Sequence, residues 1–229
     1  MKVKEGANLQ YSRINISGAN NSLDFNCILA QSHLDISGYH NMIELLGNDS
    51  KMNMKLTGAR NRIKTKGVSS NLTLRMEGND NEVTIERGVR SITNLHVVVI
   101  GNGLRLRIGE GTTFGSDCWI ALMGNNNHLS IGSNCMIADD VDLFASDTHP
   151  ILNKESNKII NKSGNIDIDD HVWLGKKACV LKNVCIGKDS VIGMASIVVS
   201  NIPNSSVAVG NPAKIVKTGV TWDRKHITI

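Results

Sequence analysis

The chain has 229 residues, of which only 3% are aromatic, and a formal charge of +4 from 25 Lys and Arg against 21 Asp and Glu. This length suits one domain or two small ones, with roughly 70% of the unfolded surface buried. No hydrophobic run reaches the ~18 residues of a membrane span, and the opening MKVKEGANLQYSRINISG has no apolar stretch to serve as a signal peptide, so a cytoplasmic protein is expected.

The first regular feature is a repeat. INISGANNSLDF, LDISGYHNMIEL, MKLTGARNRIKT and LRMEGNDNEVTI begin at 14, 34, 54 and 74, one coil of 20 residues apart. Their frame is Φ-x-Φ-x-G-x-x-N-x-Φ-x-Φ, and its alternating apolar residues predict two short strands per coil. Gly18, Gly38, Gly58 and Gly78 mark a corner that needs positive φ. Asn21, Asn41, Asn61 and Asn81 fall three places later, positioned to hydrogen-bond up a stack of coils. The frame returns, stretched to 23 residues, around Gly101 and Gly124, with Asn127 in place and Leu104 standing for an asparagine. The third side of the early coils (Ile28-Leu29, Asn48-Asp49, Val68-Ser69) shows no such pattern and is expected to be irregular or looped. These coils read as structural support.

A second period starts near Ile108, with blocks of six: IGEGTT, FGSDCW, IALMG, then after Asn125 to His128, IGSNCM, IADDVD and LFASDT. The next inward residue is due at 149, where His149-Pro150 stands instead. The stretch that follows, ILNKESNKIINKSGN, is polar and lysine-rich without an apolar period, which predicts a loop (149–165) thrown outward from a corner. At its base lies Ser146-Asp147-Thr148-His149. A neutral imidazole takes a proton from a hydroxyl near pH 7. Asp147 is two residues away and on the same side of a strand; either it or a backbone carbonyl can orient the ring. Of the other six histidines, only His128 competes as a base, because it too follows an insertion.

From Ile168 to Pro203 the sixes are unbroken: IDDHVW, LGKKAC, VLKNVC, IGKDSV, IGMASI, VVSNIP. Each opens on an aliphatic and holds a small or β-branched residue at its fifth place. Three sixes make one turn of a triangular solenoid, so the period fixes an all-β, parallel β-helix architecture of about nine coils, on the order of 43 Å tall at roughly 4.8 Å per layer. The cysteines (Cys27, Cys118, Cys135, Cys179, Cys185) are odd in number and form no CxxC pair, which favours reduced structural thiols over a metal site or a disulfide. Residues 168–229 hold eight basic and four acidic side chains and so the whole charge excess. A localised basic end favours a small polyanion over nucleic acid, which asks for a longer stripe and stacking aromatics.

SDTHPI, the loop, NIDIDDHVWLGKKACVLKNVCIGKDSVIGMASIVVSNIP and VAVGNPAKIVK together resemble the O-acetyltransferases of the hexapeptide-repeat superfamily, including the galactoside, maltose, streptogramin, capsule and lipopolysaccharide enzymes. The resemblance covers about residues 105 to 217 and not residues 1 to 95. It implies a left-handed β-helix, where the general crossover rule alone suggests the right-handed form. It also implies a homotrimer with acetyl-CoA in a groove between neighbouring subunits and a sugar or polysaccharide acceptor. By position, His149 is the general base, with Asp147 beside it, and Trp173 of VWLG lines the site, 24 residues after the histidine. Lys176 and Met194 (through backbone groups), Gly210, Pro212, Lys214 and Lys217 are the implied CoA contacts; two ammonium groups suit phosphates as point charges. One departure is Gly115, flanked by Ser116 and Asp117, where galactoside-type enzymes place an asparagine.

The expected organisation is therefore supporting coils over 1–100, an acyltransferase solenoid over 101–217 and a tail over 218–229. No metal is expected: the zinc carbonic anhydrases that share this solenoid need three convergent histidines, and His149 and His171 lie 22 residues apart with no second histidine near. Two alternatives stay open: a small-molecule (sugar or antibiotic) O-acetyltransferase, and a non-catalytic solenoid used for assembly.

Overall fold

The computed structural model describes residues 2–3, 12–67 and 69–227. Among these there is no helix; strands stack into a solenoid of about nine turns. Three ladders form its walls. One stacks Val83, Leu106, Leu129, Ile166 and Val184. The next stacks Phe114, Ile137, Leu174, Ile192 and Ala208. The third stacks Val97, Ile120, Leu143, Val180 and Val198. All of these side chains are buried, and burial of each larger aliphatic contributes about 1.5–3 kcal/mol.

Both marked positions of the hexapeptide face inward. The openers Ile168 to Val198 and the fifth residues Val172, Ala178, Val184, Ser190, Ser196 and Ile202 are all buried. The two serines have their hydroxyls bonded: Ser190 Oγ donates to Pro203 O (2.8 Å), and Ser196 Oγ accepts from Gly210 N (2.9 Å). Cys118 and Cys135 are buried too, and burial pushes each thiol up to about 11, so both stay protonated and inert at neutral pH. Cys27 lies where side chains are outside the described residues.

In the early coils the glycine and asparagine columns perform as their spacing predicts. Gly58 has φ 131°, and a Cβ there would sit 1.8 Å from the carbonyl oxygen of Gly78 in the next coil. Asn41, Asn61 and Asn81 are buried, and their amides donate to Gly58, Gly78 and Gly101 O at 2.8–2.9 Å. Leu104 ends the amide column: its side chain is buried while its N–H donates to Asn81 Oδ1 (2.9 Å).

Two expectations need correction. The third side of the early coils is irregular, as expected, but not looped: Ser22–Ala30 pairs in register with the 18-residue strand Met42–Ala59, including Ile28 on Asn48 and Leu29 on Asp49, and the register slips only between Ser50 and Met52 and between Ser69 and Leu72. Interstrand hydrogen bonds here come from the backbone and need no apolar pattern to form; Val68 itself lies outside the described residues. The loop is also less polar than it reads. Its arms meet at a Leu152–Ile159 bridge and show Ile151, Leu152, Ile159 and Ile160 to solvent. At the far end, Lys214–Thr218 turns back antiparallel on Ser206–Val209.

Candidate active site

The wall strand Asp142–Phe144 ends at the buried Ala145, and the chain leaves the coil at Ser146. The gap is closed when Gly164 N donates to Ala145 O (2.9 Å), so the loop is an insertion over an intact corner. Its base is built from side chains. Asn161 spends both amide hydrogens there, on Asp147 Oδ2 (2.8 Å) and on His149 O (2.8 Å), and Lys182 from the coil above pairs with the same Asp147 oxygen. The Lys182 ammonium, ahead of Asn161, holds the Asp147 carboxyl below the usual aspartate range. Thr148 sits at φ 68° with its N–H bonded to Ser146 Oγ (3.1 Å), and His149 N donates to Asp147 O (2.7 Å).

The His149 imidazole stands exposed and, among the described residues, without a hydrogen bond. Its link to Asp147 runs through the backbone, while the Asp147 carboxylate is engaged by Lys182 and Asn161. Imidazole–carboxylate pairs lie elsewhere: His128 Nε2 with Asp167 (2.9 Å) and His171 Nδ1 with Asp189 (2.7 Å). His149, Thr148, Asn161 and Ser163 border a cleft of about 480 Å³.

Trp173 is on a different wall, paired with Met136 below and Val191 above. It lines a cleft of about 500 Å³ with Ile92, Phe114, Gly115 and Met136. Gly115 leaves no room for the asparagine that galactoside-type enzymes carry: a Cβ would lie 2.4 Å from Asp139 Oδ1 and 2.6 Å from Asp139 N. The two clefts share no residue.

The remaining expected residues gather near the upper end. Lys176 follows Trp173 in the same coil and faces Asp139 (3.4 Å) and Asp140 (3.5 Å), with Asp139 the main cause of its raised pKa. Ala195 N donates to Lys176 O, which stacks the 71%-exposed Met194 over that lysine. Gly210 (φ 102°) donates to Ser196 Oγ and accepts from Ile197 N before the turn at Pro212. Lys214 pairs with Val209 and Lys217 with Val207, both lysines exposed and, among the described residues, free of ion pairs.

Asn161, Lys182 and Trp222 were not singled out from the sequence. Asn161 had no signal, lying in an aperiodic loop. Lys182 had one: Phe144 pairs with Leu181, so counting one coil up from the break lands on it. Trp222 lies beyond the last hexapeptide, yet its ring stacks on His171 and approaches Trp173 to 6.1 Å.

No family model matches the chain. A polysialic acid O-acetyltransferase of Escherichia coli O1:K1 is 38% identical over 127 residues, which is 56% of this chain and 41% of that protein. A putative acetyltransferase of Staphylococcus aureus, SAR2635, is 34% identical over 112 residues, 43% of this chain and 55% of that one. The matches thus span about half the length of these curated relatives. Among solved structures, the polySia-specific acetyltransferase NeuO is similar along almost all of both chains (97% and 91%), with a TM-score of 0.70 and 30% identity. The polysialic acid O-acetyltransferase OatWY gives 0.60 and 26%, over 94% and 92%.

Proposed function

This chain belongs to the hexapeptide-repeat acetyltransferases, and from that premise we propose that it moves an acetyl group from acetyl-CoA to a sugar hydroxyl of a polysaccharide, with His149 as general base. The observation that carries this reading is the exposed, unbonded imidazole held at a loop base that Asn161 and Lys182 pin on both sides. His149 accepts the proton as the acceptor hydroxyl attacks the thioester carbonyl, and returns it to the departing thiolate as the new ester forms; the site ends as it began. Asp147 serves by fixing the backbone that carries the ring.

Lys214 and Lys217 fit the phosphates of CoA because neither has an anionic partner among the described residues, and Met194 offers an exposed apolar surface to the donor. The donor then runs along the corner of Lys176, Met194, Gly210 and Pro212. The active unit is a homotrimer. His149 and Trp173 line separate clefts of one prism, so a site using both needs His149 of one copy set against the Trp173 cleft of the next, and a neighbouring wall encloses a donor that one prism leaves exposed. We assign 1–100 to extending the scaffold, 101–217 to the chemistry, and 218–229 to a C-terminal tail. Among the described residues no helix is long and apolar enough to cross a membrane. As a separate proposal, we place the reaction in the cytoplasm, where acetyl-CoA is made.

Transfer of label from acetyl-CoA to surface polysaccharide tests the reading. Incorporation should be lost in His149→Ala and kept in His128→Ala. Loss only in His128→Ala would move the base to the His128–Asp167 pair.

A further inference from the structure

The C-terminal segment runs back down the solenoid along one corner, beside the wall that carries Trp173. Backbone bonds stack the turns of that corner: Asn134 N on Glu110 O (2.8 Å), His171 N on Ser133 O (2.8 Å) and Asp189 N on Asp170 O (3.3 Å). The tail descends this stack. Val220 N donates to Ser205 O (3.0 Å), Thr221 Oγ1 to Asp189 Oδ1 (3.3 Å), and Trp222 Nε1 to His171 O (2.7 Å). Arg224 latches the lower end. Its Nη1 donates to Thr113 Oγ1 (2.8 Å), and Nη2 to the carbonyls of Cys135 (2.7 Å), Asn134 (3.2 Å) and Gly111 (3.4 Å).

The outward residues of the adjoining wall form a column. Thr113 pairs with Met136 and Met136 with Trp173, and all three line the Trp173 cleft. The tail touches both ends of this column, with Arg224 at Thr113 and Trp222 at Trp173. Trp222 is itself held firmly. Its ring lies flat on His171 (centroids 4.3 Å apart, 8°), the Arg224 guanidinium stands 5.8 Å from its centroid, and the residue is 9% exposed. From there it meets Trp173 at 6.1 Å and 49°, within the range of a tilted aromatic pair. Trp173 sits on a strand of two residues and points away from the core, so interior packing does not fix its indole. A neighbouring ring locked by a hydrogen bond, a stacked imidazole and a cation does.

We propose that Trp222 is a positioning residue for Trp173: the C-terminal strap, latched by Arg224, sets the angle of the indole that lines the cleft. The proposal rests on the acetyl-transfer reading and gives the tail a task within it. Misplacing a group at a reacting site by about 1 Å costs up to roughly 100-fold in rate, so loss of the strap is read in kcat/KM as well as in the indole itself.

The chain has three tryptophans, so the protein labelled with 5-fluorotryptophan gives one fluorine resonance each for Trp119, Trp173 and Trp222, assigned through single Trp→Phe variants. Trp222→Ala should shift or broaden the Trp173 line, and leave in place that of Trp119, which stands on another wall. It should also lower kcat/KM for acetyl transfer by about tenfold or more. Trp222→Phe keeps a ring and loses Nε1–H, and should recover most of both effects. Arg224→Gln leaves Trp222 present but unlatched, and should move the Trp173 line by a smaller amount. A lowered thermal midpoint with the Trp173 line and kcat/KM unchanged would make the tail a brace for the corner only, and overturns the proposal. So does a Trp222→Phe protein as impaired as Trp222→Ala. If Trp222→Ala does not fold, Arg224→Gln decides: Trp222 and Trp173 lines that move together support the strap, and a shift of Trp222 alone refutes it. If the native protein transfers no acetyl group to any polysaccharide, the functional reading is what fails, and the fluorine spectra alone judge the strap.

Discussion

The two halves of the solenoid turn their corners differently. In the early coils one strand, Met42–Ala59, runs unbroken for 18 residues, while Trp173–Leu174 in the hexapeptide half is two residues long. The early corner packs glycine on glycine with no space for a methyl group, and a buried asparagine amide is bonded to the coil above. Such a corner cannot open. From Met136 onward the strands are short and joined by turns, and there the chain throws out the 149–165 loop without breaking the ladder, since Gly164 still bonds to Ala145. Ion pairs occur in both halves, Lys64–Glu44 and Lys66–Glu86 along the early coils (2.8 and 2.7 Å) and Lys176–Asp139 (3.4 Å) in the hexapeptide half, whereas Lys214 and Lys217 have no ion-pair partner among the described residues. Rigid corners give height, and the proposed chemistry sits where a corner opens.

The comparison is sharpened most by a substitution that should stop the reaction and leave the fold alone. His149→Ala is expected to lower turnover by about 10²- to 10⁴-fold, with an unchanged thermal midpoint, because the imidazole is exposed and makes no hydrogen bond among the described residues. Acetyl transfer and calorimetry on one preparation check both halves of that statement.

The converse should hold for Gly58→Ala. With φ 131° and a carbonyl 1.8 Å from the new Cβ, the backbone of two coils has to shift, at a cost of about 3 kcal/mol or more. Urea unfolding should show the loss, while folded molecules keep their kcat. A Gly58→Ala protein of native stability would mean that the early corners are not locked.

A smaller effect is expected from Lys214→Ala with Lys217→Ala. The acetyl-CoA KM should rise about tenfold or more, with kcat and acceptor KM nearly constant, as for contacts equal in ground and transition states. The defect should narrow at high salt, where the native pair is itself screened.

The smallest concerns Asp147. Its carboxyl is depressed in the folded state, chiefly by Lys182. Its contribution is therefore present above the ordinary value of 3.8 and lost as the pH falls through the lower folded value. Amide exchange at Thr148 and His149 should quicken only below about that ordinary value, and Lys182→Met should remove the dependence.

Much of this was legible in the sequence because it follows from steric periodicity. The inward hexapeptide positions, the glycine corners and the asparagine column each recur at a fixed step, and each landed where that step puts it. The outward break at His149 was legible for the same reason, as a missed beat. What escaped lacks a period or depends on distant residues. The third side of the early coils pairs through its backbone, which leaves no side-chain pattern at Asn48 or Asp49. Asn161 works from within an aperiodic loop. Trp222 and Arg224 meet residues 51 and 89 positions earlier, at His171 and Cys135, a relation that no local spacing encodes.

The central claim is that His149 of one copy and the Trp173 cleft of another make one acetyl-transfer site. Co-expressing His149→Ala with Trp173→Ala tests it most directly, with acetyl transfer measured for each variant alone and for the purified mixed assembly. The account predicts two weak parents and a mixed assembly of markedly higher activity, since a mixed trimer contains an interface where an intact His149 faces an intact Trp173. Mixed assemblies no more active than the average of their parents would contradict it.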